Sequence, residues 1–166
     1  ENILEFYQKA HLLDRTSFWT TLDVYYELTS GKKKYIKGIK VFTDGALGST
    51  TAALKGKYKD GKRGFLLHSD KELKEKIKTI YDHNMRPAVH AIGDKATEQT
   101  VKVFKELKEE GYEVIRSRIE HSQFINEKTA ELAKDLGIIL CMQPNFNFDS
   151  IHYNDRLTKK YQRINN

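Results

Sequence analysis

The chain predicts an α/β fold in which parallel strands alternate with helices, and three observations carry that expectation. From Lys37 onward, short apolar runs alternate with longer amphipathic stretches, the signature of βαβ units on a parallel sheet. Three segments, Gly38-Ile39-Lys40-Val41-Phe42-Thr43-Asp44-Gly45, Val89-His90-Ala91-Ile92-Gly93-Asp94 and Arg118-Ile119-Glu120-His121-Ser122-Gln123, each place a polar, metal-competent or titratable side chain at the end of an apolar run. At 166 residues the chain suffices for one compact domain but falls short of the ~200 that an eight-stranded β/α barrel needs at least, so about half such a barrel fits.

Strands are expected at 37–43, 87–92, 115–120 and 138–143. The first 36 residues are the hardest to place. Ile3, Leu4, Phe6, Tyr7 and Ala10 favour a helix, Ser17-Phe18-Trp19-Thr20-Thr21-Leu22 a strand, and Val24-Tyr25-Tyr26-Glu27-Leu28 a helix that Gly31 would close. A loop punctuated by Gly45, Gly48, Gly56, Gly61 and Gly64 follows the first run. Ser69-Asp70-Lys71-Glu72 then announces a helix, because Ser69 and Glu72 can satisfy each other's free backbone donors. Its buried stripe would be Leu73, Ile77, Ile80 and Tyr81.

The next helix, 95–110, would turn Val101, Phe104 and Leu107 to the sheet and stop at Gly111. A third runs from its cap Asn126 to Gly137, with Ala130, Ala133 and Leu136 packing closely on the sheet. Past Pro144, Asn145-Phe146-Asn147-Phe148-Asp149 places turn formers between aromatics, and the last charged stretch is helical or frayed. The chain thus divides into an N-terminal segment 1–36, β/α units over 37–146, and a tail 147–166.

Twenty-nine basic residues face 23 acidic ones, a net charge of +6, but the signs interleave along the helices as on solvated faces. The densest block, Lys32-Lys33-Lys34 with Tyr35 and Lys37, reads as a flexible surface loop; without a stacking repeat or nucleic-acid module, no nucleic acid is expected as partner. The lone Cys141 excludes an internal disulfide, and the apolar run around it suggests a buried small hydrophobe. No run nears the ~18 apolar residues of a membrane helix and no signal-peptide core is visible, so the default expectation is a cytoplasmic chain with no membrane partner. Glu1 at the start, and an Asn165-Asn166 end without a helix stop, read as the limits of an excised piece.

In a β/α barrel the carboxyl ends of the strands converge on one face, where Lys40, His90 and His121 would meet. A neutral imidazole binds zinc, iron or manganese, although a histidine at a strand end is also a common hydrogen-bonded rim residue. Lys40, between Ile39 and Val41, needs a reason to be in a buried strand. Pairing with Asp44, Glu120 or another carboxylate is one reason, and outward orientation on an edge strand is another. Asp44 and Asp94 near the same rim are candidates to orient ligands or touch substrate, or to cap loops. Gln143 and Asn145 are substrate-contact candidates or turn formers. No general base stands out.

The stretch GIKVFTDGALGSTTAAL, followed in order by HAIGDKA and RIEHSQ, resembles the metal-dependent amidohydrolase superfamily, in particular its YtcJ-like branch, over about residues 38 to 146. The resemblance implies a TIM (β/α)8 barrel, of which this chain would hold about strands four to seven. It also implies a carboxylated lysine at Lys40 and single histidine ligands at His90 and His121. The cofactor would be a divalent metal, zinc first and iron or manganese otherwise. Such a metal activates water for attack on amide-like, non-peptide C–N bonds of a small-molecule substrate.

The resemblance further calls for a His-x-His pair on the first strand and an aspartate on the eighth. Neither has a counterpart here, since no two of the histidines at 11, 68, 83, 90, 121 and 152 stand two residues apart. The isolated chain is therefore expected to be inactive, and its unpaired strands to associate with another copy or with the missing barrel half. The alternatives are a non-catalytic barrel fragment serving as a packing or dimerisation module, and a basic nucleic-acid-binding module with strongly salt-dependent binding.

Overall fold

Five short strands, all parallel, hydrogen-bond to one another in chain order: β1 (Phe18–Thr20), β2 (Ile36–Phe42), β3 (Arg86–Ala91), β4 (Arg118–His121) and β5 (Ile139–Cys141). The computed structural model describes residues 3–146 and 154–164. Helices α1 (Ile3–Lys9), α2 (Leu22–Glu27) and α3 (Ser30–Lys33) flank β1 in sequence, α4 (Asp70–Asp82), α5 (Asp94–Glu109) and α6 (Glu127–Asp135) alternate with the later strands, and α7 (Lys159–Arg163) follows. Among the described residues no helix is long and apolar enough to cross a membrane.

Period-two alternation along β2 explains why the helices lie on one face. Ile39 and Val41 point into a core shared with Leu73 and Ile77 of α4 and Val101, Phe104 and Leu107 of α5, while Lys40 is half-buried and Phe42 is 44% exposed on the other face. Parallel sheets are ordinarily covered on both faces; among the described residues, this one is covered on one. The register sets Phe42 beside His90, His90 beside Glu120 and Glu120 beside Cys141. A single row of side chains therefore crosses four strands on the open face.

Local chemistry places the helix ends. Glu72 N–H donates to Ser69 Oγ at 3.3 Å and Ser69 N–H donates to Glu72 Oε2 at 2.8 Å, closing the capping box that starts α4. Asn126 Oδ1 accepts the Thr129 N–H at 3.0 Å at the start of α6. Gly111 and Gly137, at φ 94° and 71°, end α5 and α6 in the left-handed region that glycine enters most readily.

Several boundaries differ from the sequence expectation. The strand expected at 115–120 begins only at Arg118, because Arg116 turns at φ 63°, gives its N–H to Gly137 O, and leaves Ile115 exposed. The run 138–143 contracts to Ile139–Cys141. Gly31 does not close α2: that helix ends at Leu28, whose N–H reaches Val24 O and Tyr25 O, and Gly31 lies inside α3.

The lysine block is also not a loop. Lys32 and Lys33 belong to α3, Lys32 pairs with Glu5 at 3.1 Å, and the Lys33 and Lys34 amines lie over the Tyr25 and Tyr35 rings. Cys141 is half-exposed rather than buried, standing in register with Glu120 on the face of the sheet away from the helices. Phe18–Thr20 forms the edge strand beside β2. Asn145 and Phe146 lie in the expected turn, and the rest of it, from Asn147 to Asp149, lies outside the described residues.

A second, smaller core sits at the carboxyl ends of the strands. Leu47, Ala52, Leu54 and Tyr58 of the 43–69 loop pack there with Ile92, Phe124, Leu157 and Tyr161. The Tyr161 hydroxyl donates to Asp94 Oδ2 at 3.1 Å and accepts the Gly56 N–H at 2.7 Å, tying α7 to both the loop and α5.

Candidate functional site

His90 is the last residue but one of β3, on the open face, and His121 ends β4; their ring centroids are 4.6 Å apart in an edge-on contact. Alternation alone would not bring them together. Glu120 shares the open face with His90, so the next residue, in register with buried Ala91, should turn to the helices. Instead His121 and Ser122 take φ values of 75° and 45°, two successive left-handed non-glycine residues, each costing on the order of 1 kcal/mol or more. Ser122 is fully buried and its N–H donates to Ala91 O at 3.0 Å, which holds the reversal in place.

Each ring has one nitrogen already occupied. His90 Nε2 lies 3.0 Å from Gly45 O, a carbonyl that can only accept, so that nitrogen carries the proton and Nδ1 is the basic one. His121 Nδ1 lies 2.5 Å from Gln143 Oε1, and the same logic leaves its Nε2 basic. Burial lowers the His121 pKa, and the neighbouring His90 and Lys40 add to this against the opposing Gln143 hydrogen bond. Phe146 stacks on the His121 ring at 5.7 Å, within 10° of parallel.

Lys40 stands on the same open face of β2 as Phe42, with its amine 5.5 Å from the Phe42 ring centroid. Burial lowers its pKa and the field of Glu120 partly restores it. Burial pushes Glu120 up, but the Arg118 hydrogen bond at 2.8 Å and its charge outweigh that, and the carboxyl stays below its ordinary range. Arg118 in turn lies over the Trp19 ring at 5.3 Å. Residues 118 and 120 share a face by alternation, so this pair was legible in the sequence, unlike Trp19 and Phe146.

The two aspartates do not join this row. Asp44 is wholly buried and accepts the N–H groups of Ala53, Ile92 and Gly93 at 2.9, 3.1 and 2.8 Å, clamping the 43–69 loop to the end of β3. One of its oxygens is 3.4 Å from His90 Nε2. Asp94 accepts from Lys55 N–H at 2.8 Å and from Tyr161. Among the described residues no three His, Cys, Asp or Glu side chains gather to hold one metal ion; the imidazoles stand as a pair with Lys40 on their face. A cleft of about 240 Å³ opens beside them, walled by Ala46, Leu47, Ile92 and Phe146.

Comparison with known proteins gives the family and the fold. A model of the amidohydrolase family matches residues 8–166. The chain belongs to the amidohydrolase family. YtcJ of Bacillus subtilis, whose name assigns it to the amidohydrolases, is 32% identical over 143 residues, covering 83% of this chain and 26% of that protein. The Arabidopsis thaliana protein LONG AFTER FAR-RED 3 is 31% identical over 129 residues, 76% of this chain and 22% of its own length. The chain thus spans about a quarter of these family relatives.

Two solved structures, titled as uncharacterized metal-dependent hydrolases, superpose with a TM-score of 0.70 each. The one from Pyrococcus furiosus is 28% identical and is matched over 93% of this chain and 31% of its own. The one from Pyrococcus horikoshii OT3 is 26% identical, over 94% and 39%. The sequential parallel sheet with helices on one face is the TIM-barrel-like architecture of this family.

Proposed function

We propose that this chain is the central part of a metal-dependent hydrolase that cleaves amide-like, non-peptide C–N bonds, with Lys40, His90 and His121 as metal ligands. The observation that carries it is the 4.6 Å contact of two imidazoles at adjacent strand ends, reached through left-handed backbone at His121 and Ser122. In this reading β2 to β5 are barrel strands four to seven, which makes β1 the third. The donors fit a borderline divalent ion, zinc first and iron or manganese otherwise: two imidazoles, each with one ring nitrogen held by a protein oxygen, plus a lysine whose pKa burial lowers.

When bound, the ion supplies a hydroxide-forming water at neutral pH and polarises the substrate carbonyl. The chain's own residues prepare for it. Gly45 O and Gln143 fix the two tautomers, so that one basic nitrogen on each ring is available. A neutral Lys40 amine can add to carbon dioxide, forming an N–C bond and releasing one proton, to give an anionic carbamate oxygen donor. Arg118 occupies Glu120, which keeps that carboxylate from neutralising Lys40 by direct pairing.

The His-x-His pair and the eighth-strand aspartate that the family resemblance calls for have no counterpart among these residues, so the isolated chain is expected to be inactive. The open face, with Phe42 and Ile139 each 44% exposed, favours self-association or pairing with the rest of a barrel. Elemental mass spectrometry on tag-free protein, with a zinc titration followed by histidine ring NMR signals, tests the reading. Support is metal lost in the His90→Ala/His121→Ala variant and zinc-induced shifts at both rings. Metal retained by that variant, or zinc that shifts neither ring, overturns it.

A further inference from the structure

We propose that the cleft beside the histidine pair receives a benzene-sized, uncharged substituent attached to the substrate's amide carbonyl, so that the substrate class is an aryl amide or one of similar compact apolar shape. This deepens the hydrolase reading of the same site and rests on it. An apolar cavity of roughly 150 Å³ takes benzene, and this cleft of about 240 Å³ takes a ring together with the carbonyl that carries it. Larger grooves, of about 530 Å³ along α1, β1 and α2 and about 670 Å³ beside Arg15 and Tyr35, hold no imidazole, so volume does not select them.

The walls of the cleft are built rather than incidental. Leu47 and Ile92 are 3% and 5% exposed and belong to the second core with Tyr58 and Phe124. The Asp44 clamp ties the loop that supplies Ala46 and Leu47 to the backbone of Ile92 and Gly93. Phe146, parallel to His121, adds a flat side that suits a ring. His90, His121 and Gln123 supply the polar part of the lining, whereas a carboxylate or ammonium pressed against Leu47, Ile92 and Phe146 would lose hydration, so an uncharged substituent suits that apolar wall. His121 Nε2, the nitrogen left open by Gln143, marks the polar side of the cleft.

The test is a ¹⁵N NMR titration of the whole chain with benzamide, acetamide and benzoate, repeated on Ala46→Phe. Ala46 is exposed, so its replacement fills the cleft without entering either core; Phe146→Ala, which removes a wall instead, is the second variant. Benzamide is expected to shift the Ala46, Gly48 and Ile92 amides and to bind at least tenfold more tightly than acetamide or benzoate. Both variants are expected to weaken benzamide at least fivefold. Equal binding of the three probes, shifts centred elsewhere, or unchanged affinity in both variants overturns the proposal. Binding is read without metal, so the two readings fail separately: benzamide in the cleft of a chain whose metal content ignores the histidines removes the hydrolase reading alone, and histidine-dependent metal with no benzamide preference removes this one alone.

Discussion

Replacing Asp44 tests how the site is held together. Its carboxylate is fully buried and satisfies three backbone donors, two through Oδ2 (Ala53 and Gly93) and one through Oδ1 (Ile92). Asp44→Ala leaves all three unpaired; at about 1–2 kcal/mol each for a buried unsatisfied group, the loss is about 3–6 kcal/mol. Relief from burying a charge offsets part of this and places the result toward the lower end. Asp44→Asn puts its amide oxygen at the Oδ2 position and keeps two bonds, while its NH₂ meets the Ile92 N–H and the His90 Nε2–H as donor against donor. That variant should lose about 1–3 kcal/mol. Urea unfolding with an unchanged slope separates the two, and faster amide exchange at Ala53, Ile92 and Gly93 locates the damage. If the alanine variant lost no more than the asparagine variant, or less than about 1 kcal/mol, the carboxylate would not be the clamp.

Three other perturbations follow from the same structure. A Cβ at Gly93 would overlap the carbonyl carbon and oxygen of Ala53, backbone that the Asp44 clamp holds, so Gly93→Ala should destabilise by about 1–3 kcal/mol in chemical unfolding; a neutral effect would show that the loop is free to move. Ser69→Ala removes the reciprocal cap of α4 and should cost about 1 kcal/mol, seen as a lowered thermal midpoint. Burial holds both His68 and His121 below their ordinary pKa of 6.5, so below that pH the unfolded chain binds more protons than the folded one. Stability of the metal-free chain should be level above about pH 7 and fall as pH drops through 6.5; a rise on acidification would contradict the assignment.

Strain at His121 and Ser122 and the three-donor clamp at Asp44 act on the same few ångströms of the strand ends. One turns a ring out of the strand's alternation, and the other fixes the loop whose Gly45 carbonyl orients the second ring. Residues commonly persist in costly backbone regions where the surrounding structure over-determines them. Here Ser122 N–H and Phe124 N–H donate to the carbonyls of Ala91 and Ile92 at the end of β3, so β4 cannot relax without breaking its register with β3.

Local patterns make much of the fold readable from the amino-acid order. The capping box at Ser69 and Glu72, the Asn126 cap, and the stripes Leu73, Ile77, Ile80 and Val101, Phe104, Leu107 each involve residues within a turn or two of one another, where propensity and periodicity act directly. For β2 and β3 the apolar runs likewise located the strands within a residue. Gly31 misled because a new helix begins at Ser30, and Ile115 because a turn at Arg116 interrupts an apolar run that continues beyond it.

What the sequence by itself determined is the alternation of strand and helix, the family motifs, and the placing of Lys40, His90 and His121 on or at the ends of three successive strands. Only the tertiary structure decided which way those side chains face and what holds them. His121 meets His90 through left-handed backbone that no periodicity encodes. Asp44 turns inward to the N–H of Ala53 in its own loop and to those of Ile92 and Gly93 far along the chain rather than toward Lys40, and Phe146 reaches the His121 ring from beyond the last strand. The physical reason is range. Propensity acts over a few neighbouring residues, whereas a buried polar group takes whichever partners the fold brings within hydrogen-bond distance.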